Sequence, residues 1–377
     1  MLNGIHLTLL IGPAPAMPAP APEPVTDALT SVAVTSGKDR SGFQLTFAVS
    51  KQSPLQATLL PVGYFDPIST RVIIIVTAGG IPNVLMDGIV TRQEVAPSND
   101  PGKSTLTITG EDLSVLMDLV EMPFMRYPNM SDDTIVGTIL GTYASVGISP
   151  TVIPPIFTDV PIANDRIPTQ TGTDLQYVKL LASRHAYVFF VSPGPDVGSS
   201  VGYWGPDFTV PVPQPALNVN MDAETNVQSI SFNLDGLAKK IVVLTIYDPV
   251  TQRVPISVPV PNLSVVRPPL GARLTPPAKV EFPDYLSGLT ATQAMARALG
   301  IVFSASDAIT GSGQLDVLRY GGILRARQVV GVRGAGPGYD GLYYVQSVTH
   351  DIKRGEYKQN FSLSRDGLIS LTPVVPV

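Results

Sequence analysis

A side chain can act as nucleophile, base or metal ligand only with partners close by, and this 377-residue sequence spreads the relevant types thinly. It has no cysteine, which removes thiolate nucleophiles, thiolate metal sites and disulfides together and fits synthesis in the cytoplasm. The three histidines, His6, His185 and His350, fall in separate segments without H-E-x-x-H or Cys/His spacing. They read as structural residues rather than metal ligands. His185 falls near a helix C-terminus, where positive charge is favourable, and His350 ends a strand. No G-x-S-x-G elbow is present, so serine catalysis has only those scattered histidines for a base. A carboxylate pair for glycoside cleavage stays open, because such pairs meet in space rather than in sequence. Asp132, Asp133, Glu111 and Asp112 nevertheless sit where helices begin, and there acidic residues favour the dipole. The residues predict no catalytic, cofactor or metal site.

Gly336-Pro337-Gly338-Tyr339-Asp340-Gly341 matches the dinucleotide pattern G-x-G-x-x-G. That fingerprint needs a helix after it, whose N-terminus meets the pyrophosphate. Here a strand, Leu342–Val348, follows and Pro337 interrupts, so a hairpin loop is predicted. Gly102-Lys103-Ser104 resembles the end of a phosphate loop, but the first glycine of that motif would fall at Pro97. A turn is predicted. One charge pattern remains: Arg319, Arg325, Arg327, Arg333, Lys353, Arg354, Lys358 and Arg365 crowd the last β region. A strand over Ile323–Val332 would put Arg325 and Arg327 on one face, opposite Leu324 and Ala326. An ordinary solvated face is the commoner use of such a cluster; the functional alternative is a partner interface at Arg325, Arg327 and Arg333.

The elements that must position these residues are mainly strands. Hydrophobic residues make up 44% of the chain and charged residues 15%, against roughly 25% charged in an average soluble protein. A chain this apolar is expected to bury surface against partners as an obligate oligomer. No apolar run approaches the roughly 20 residues that cross a bilayer, so membrane insertion is not expected. The net charge of −5 argues against sequence-independent nucleic-acid binding, which needs clustered cations. With 37 prolines and 33 glycines between apolar runs, the chain reads as many short strands joined by turns.

The predicted fold is mainly β with α+β inserts: two related β-barrel-like domains and a small α+β middle domain. Residues 1–24 form an arm, a strand at His6–Ile11 followed by a stiff Ala/Pro spacer. The first basic residue is Lys38, so the n-region of a secretory signal is missing. Residues 25–115 form the first barrel, with alternation in Leu45–Val49 and Ser104–Thr109. A helix predicted at Glu111–Val120 leads from it into residues 116–215, where further helices are predicted after Ser131 and after Thr173. A strand at Val188–Val191 and a turn at Tyr203–Pro206 follow. Residues 216–377 form the second barrel, with a helix at Ala291–Leu299 ended by Gly300 inside an insert around 265–305. Asp87-Gly88 and Asp340-Gly341 open similar two-strand passages, a faint internal echo.

The segment Tyr320-Gly-Gly-Ile-Leu-Arg-Ala-Arg327, then Val330-Gly-Val-Arg333 and Tyr339-Asp-Gly-Leu-Tyr-Tyr-Val-Gln-Ser-Val-Thr-His350, resembles the late control D family. Gly42–Phe47 and Gly110–Asp118 resemble that family's first barrel, and Asp174–Ala182 with Tyr203–Pro206 its middle domain. Its members form the phage baseplate hub and the hub part of VgrG-type spike proteins. The resemblance implies a structural, non-enzymatic homotrimer that joins a sixfold tail tube to a threefold spike around a central channel. Partners implied are the tail tube or tube-initiator protein, the spike and a tape-measure protein in the channel, within a virion or injection particle. The sequence stops at Val377 without a downstream spike segment, so a separate spike protein is expected. The rival readings are a tail-associated cell-wall hydrolase and a receptor- or carbohydrate-binding module, for which Trp204 is the one candidate aromatic platform.

Overall fold

The computed structural model of the chain describes residues 4–38, 41–100, 103–155, 160–161, 167–207, 212–247, 255–260, 269–282 and 307–371. The helix expected at Ala291–Leu299, with its Gly300 cap, lies outside them. Strands dominate, as the composition requires.

The N-terminal segment is part of the main sheet. Strand β1 (Ile5–Pro13) pairs along its whole length with β5 (Thr70–Ala78), and β2 (Ala19–Pro20) adds a short pairing at Leu10 and Ile11. Helix α1 (Glu23–Ala28) starts with a proline in its first turn, where the missing N–H costs nothing. Then come β3 (Leu29–Ser36), β4 (Ser41–Val49), β6 (Ile81–Ala96) and β7 (Ser104–Asp112). In β4 and β7, Phe43, Leu45, Phe47, Leu106 and Ile108 point into the core while Gln44, Thr107 and Thr109 point out. Removing each of those apolar side chains from water contributes about 1.5–3 kcal/mol. The β-branched run in β5 is buried on both faces: Val72, Ile74 and Val76 join the main core, and Ile73 and Ile75 a small cluster with Leu10.

The middle segment is α+β. Asp112 caps a short 3₁₀-helix (Leu113–Asp118) by accepting the Ser114 N–H at 2.9 Å, so the helix expected from Glu111 to Val120 is shorter. Helices α2 (Asp132–Thr142) and α3 (Asp174–Arg184) pack with β8 (Ile148–Val152), β9 (Tyr187–Pro193) and β10 (Ser200–Pro206), ordered β8-β10-β9. Thr173 caps α3 through the Gln176 N–H. Tyr203–Pro206 is not a turn but the end of β10, where all its residues pair with β9. Trp204 is fully buried there, and its indole N–H donates to Val178 O at 3.3 Å.

The C-terminal part holds β11 (Gln214–Asn218), β12 (Val227–Leu234), β13 (Lys240–Tyr247), β14 (Pro255–Val260), β15 (Gly271–Leu274), β16 (Lys279–Glu281) and β17 (Ile309–Asp316). After a one-turn helix, α4 (Val317–Tyr320), come β18 (Val329–Arg333), β19 (Gly341–Lys353), β20 (Glu356–Arg365) and β21 (Gly367–Ser370). Gly336–Asp340 lies in the hairpin loop between β18 and β19, and Gly341 opens β19. Residues 323–328 form no strand: the chain turns at Arg327, whose φ is 63°. The shared strand face expected for Arg325 and Arg327 is therefore absent.

Two copies of one strand order, together with β1, β2 and β11, make up the 13-stranded sheet. β3-β4-β7-β6-β5 in the first module repeats as β12-β17-β20-β19-β18 in the second. The bulges repeat too. One interrupts β3 between Leu29 and Ser31 and β12 between Val227 and Ser229. Another interrupts β6 between Val90 and Arg92 and β19 between Val345 and Ser347. Counted from these bulges, the pairings around them correspond between the modules: Val90 on Gly110 matches Val345 on Leu363, and Val72 on Gly88 matches Val330 on Tyr343.

The modules join through β3 and β19, paired antiparallel from Ser36 on Val348 to Ser31 on Lys353. One apolar core runs through both, from Phe47 and Leu106 to Tyr343 and Phe361. The joint leaves an asymmetry. β19 beyond its bulge has β20 on one side and β3 on the other, whereas among the described residues β6 beyond its bulge pairs with β7 alone. Likewise β3 lies between β4 and β19, but among the described residues β12 pairs with β17 alone.

Candidate partner interface

The basic residues of the last β region do not form one surface. Arg327 turns inward to the first module, donating to Gly37 O and to Ser41 Oγ at 3.3 Å, with its guanidinium 3.9 Å over the Phe190 ring. It ties together all three parts of the fold. Arg365 is fully buried: it donates to Asp340 O and Gly338 O, both at 2.8 Å, and stacks 4.4 Å over Tyr343. It thereby holds the loop that the sequence matched to a dinucleotide motif. Arg354 donates to Asp27 O at 2.7 Å, and Lys358 pairs with Glu356.

Arg325 and Arg333 stay nearer the surface. Arg325 is exposed and reaches Asn83 Oδ1 at 2.6 Å, while Gln214 brackets its backbone N–H and C=O at 2.8 and 2.9 Å. Arg333 ends β18 and lines a shallow depression with Arg319, Asn218, Glu224 and Asn226. Of the expected trio, Arg327 is thus a structural tie, and Arg325 and Arg333 point to different neighbourhoods.

The histidines occupy separate places. His6 is exposed on β1, and His185 at the end of α3 meets Asp132 Oδ2 at 2.9 Å. His350 lies inside β19, not at its end, with Nδ1 hydrogen-bonded to Tyr357 Oη at 2.8 Å. Burial, and then the Arg325 cation, lower its pKa to about 3, so it is neutral and serves packing. Among the described residues, no group of three His, Cys, Asp or Glu is placed to hold a metal ion.

Two features lie beyond the sequence reading. Arg71 and Asp87 form a bidentate pair, Nε–Oδ1 2.8 Å and NH2–Oδ2 2.6 Å, and Arg71 also donates to Pro15 O and Gly198 O. It fastens the first module to the middle segment; nothing short of the β5–β6 register could have paired the two residues. The second is apolar. Leu119, Val120, Met122, Phe124 and Met125 are exposed, Phe124 at 80% with φ 73°. The run Leu-Val-Glu-Met-Pro-Phe-Met was visible as apolar sequence without helical or strand period, which is what an apolar loop looks like. Such a surface marks a contact with another molecule more often than free solvent exposure.

No protein-family profile and no curated protein matches the sequence. Solved structures do match the fold. A prophage MuSo2 43 kDa tail protein from Shewanella oneidensis is 13% identical, with a TM-score of 0.64 over 96% of this chain and 100% of that one. A tail protein from Neisseria meningitidis MC58 is 13% identical, with a TM-score of 0.61 over 97% and 98%. The VgrG complex with PdpA from Francisella matches at 10% identity and a TM-score of 0.58, over 100% of this chain and 60% of that one. The chain therefore shares its fold, along nearly its whole length, with phage tail proteins and part of a VgrG complex.

Proposed function

We propose that the chain is a structural hub subunit of a phage tail baseplate or a tail-derived injection machine. In this reading three copies form a ring that joins a sixfold tail tube to a threefold spike and encloses a channel. The observation that carries it is the internal repeat: each subunit presents two modules of one strand order, so three subunits present six similar modules. Closed cyclic assemblies are the common solution for such subunits. Support comes from the fold shared with two tail proteins over almost all of both chains. The bare apolar segment around Phe124 and the low charged fraction also suit a subunit that is covered on assembly.

The partners would be the tail tube or its initiator, a spike, and a tape-measure protein in the channel; the role is mechanical, not catalytic. Arg325 and Arg333 are the basic residues that would face a neighbour. Among the described residues no helix is long and apolar enough to cross a membrane. The sugar-binding alternative loses its main support, because Trp204 is buried rather than displayed. The test is to tag the chain and image purified particles with a gold-labelled antibody. Label confined to the spike end of the tube is expected; label along the tube or on the fibres would overturn the reading.

A further inference from the structure

We propose that neighbouring subunits are joined by antiparallel pairing between the free edge of β6 in one copy and β12 in the next, in the register of the β3–β19 joint inside each copy. The inference rests on the ring reading and adds the surface that closes it. Inside the subunit, the second module's β19 offers Val348, Thr349, His350 and Asp351 to Ser36, Thr35, Val34 and Ala33 of β3. Counting from the matched bulges, Gln93, Glu94, Val95 and Ala96 stand in β6 where those four stand in β19. On the other edge, Leu234, Asn233, Phe232 and Ser231 stand in β12 where Ser36, Thr35, Val34 and Ala33 stand in β3.

Among the described residues, each of these equivalent strands lacks the one partner that its counterpart has. A β19-like edge without its β3 and a β3-like edge without its β19 are complementary, and one subunit carries both. Pairing them between copies is head-to-tail and can close a ring. The partners it predicts are Gln93 with Leu234, Glu94 with Asn233, Val95 with Phe232, and Ala96 with Ser231. Pro97 has no N–H to donate, so this joint stops sooner than the internal one.

The chemistry of the two edges agrees. An edge strand left in solvent usually carries charge or proline to block pairing. β12 reads Val-Gln-Ser-Ile-Ser-Phe-Asn-Leu, with neither. The charges on the β6 edge, Arg92 and Glu94, meet each other at 3.2 Å. Val95 and Leu234 are 38% and 39% exposed, apolar side chains that the new pairing would cover. Inside each copy the hydroxyls of Thr35 and Thr349 meet at 3.1 Å. Between copies the Asn233 amide would donate to the Glu94 carboxylate at the same place.

The cysteine-free chain makes the test direct. Opposed residues of an antiparallel pair stand about 4.5–5.5 Å apart at Cα, within the range a disulfide spans. The full-length double variant Glu94→Cys/Asn233→Cys, oxidised alone and with its tail neighbours, should give a covalent trimer on a non-reducing gel. Reduction should collapse it to single chains. The internal control Thr35→Cys/Thr349→Cys should cross-link without any gain in mass. A trimer by light scattering that never gains an interchain disulfide would overturn this joint while leaving the ring intact. A chain that stays monomeric with every tail partner would overturn both.

Discussion

Arg71 and Asp87 have counterparts in the second module, Val329 and Leu342, found by counting from the repeated bulges. The same backbone positions are thus filled once by a buried ion pair and once by aliphatic side chains. A buried charge deprived of its partner costs about 3–5 kcal/mol, whereas an apolar replacement of the whole pair is often neutral. Asp87→Ala should therefore lower stability by about that amount in urea unfolding. Arg71→Val/Asp87→Leu should cost less than Asp87→Ala, although it gives up the bonds to Pro15 and Gly198. A double variant worse than the single would show that the cation matters mainly as a tie to the middle segment. His350 makes a second prediction. Its folded pKa, about 3, lies below the ordinary 6.5, so the unfolded chain takes up the proton first. The contribution is intact above pH 6.5 and falls as pH drops towards 3, by about 2 kcal/mol between pH 6.5 and 5. His350→Gln should flatten that part of the stability–pH curve; an unchanged slope would mean that other groups carry it.

At the scale of elements, α3 owes its start to Thr173, which caps the helix and donates to Asp118 Oδ1 at 2.5 Å. Thr173→Ala should cost about 1–2 kcal/mol, read as a lower Tm without loss of overall strand content. Phe124→Ser should change stability by less than about 0.5 kcal/mol, because the ring touches solvent, yet weaken binding to tail partners in pull-down assays. The sequence made such elements legible where period and punctuation agree: the alternation of β7 and the cap of α3 could both be read directly. Tyr203–Pro206 was misread because Gly-Pro signals a turn, while in the fold Pro206 merely ends a strand. Of the strand expected at Ile323–Val332, only Val329–Val332 forms, and the first half misleads because Ile-Leu-Arg-Ala-Arg imitates a two-residue period. Gly321 and Gly322 precede it, and Arg327 leaves the strand region to reach partners in the first module. The repeat was only an echo because its modules share bulges and pairings rather than residue types. Asp87-Gly88 and Asp340-Gly341 mark the right hairpins, but Asp87 aligns with Leu342, two residues further on. The candidate interface was less legible still, since edges are defined by what fails to pair with them.

Over the whole molecule, one sheet carries both modules and a single core, so the subunit is built to be stiff across the joint between them. A hub that holds a tube against a spike needs that stiffness, and it needs two like surfaces per copy to meet a sixfold partner. The central claim is the ring, and its mass is the direct measure. Light scattering on the purified chain, alone and then with its tail neighbours, should give three times the 40.0 kDa of one chain, if only once the spike is added. A mass of one chain under every condition would contradict the account.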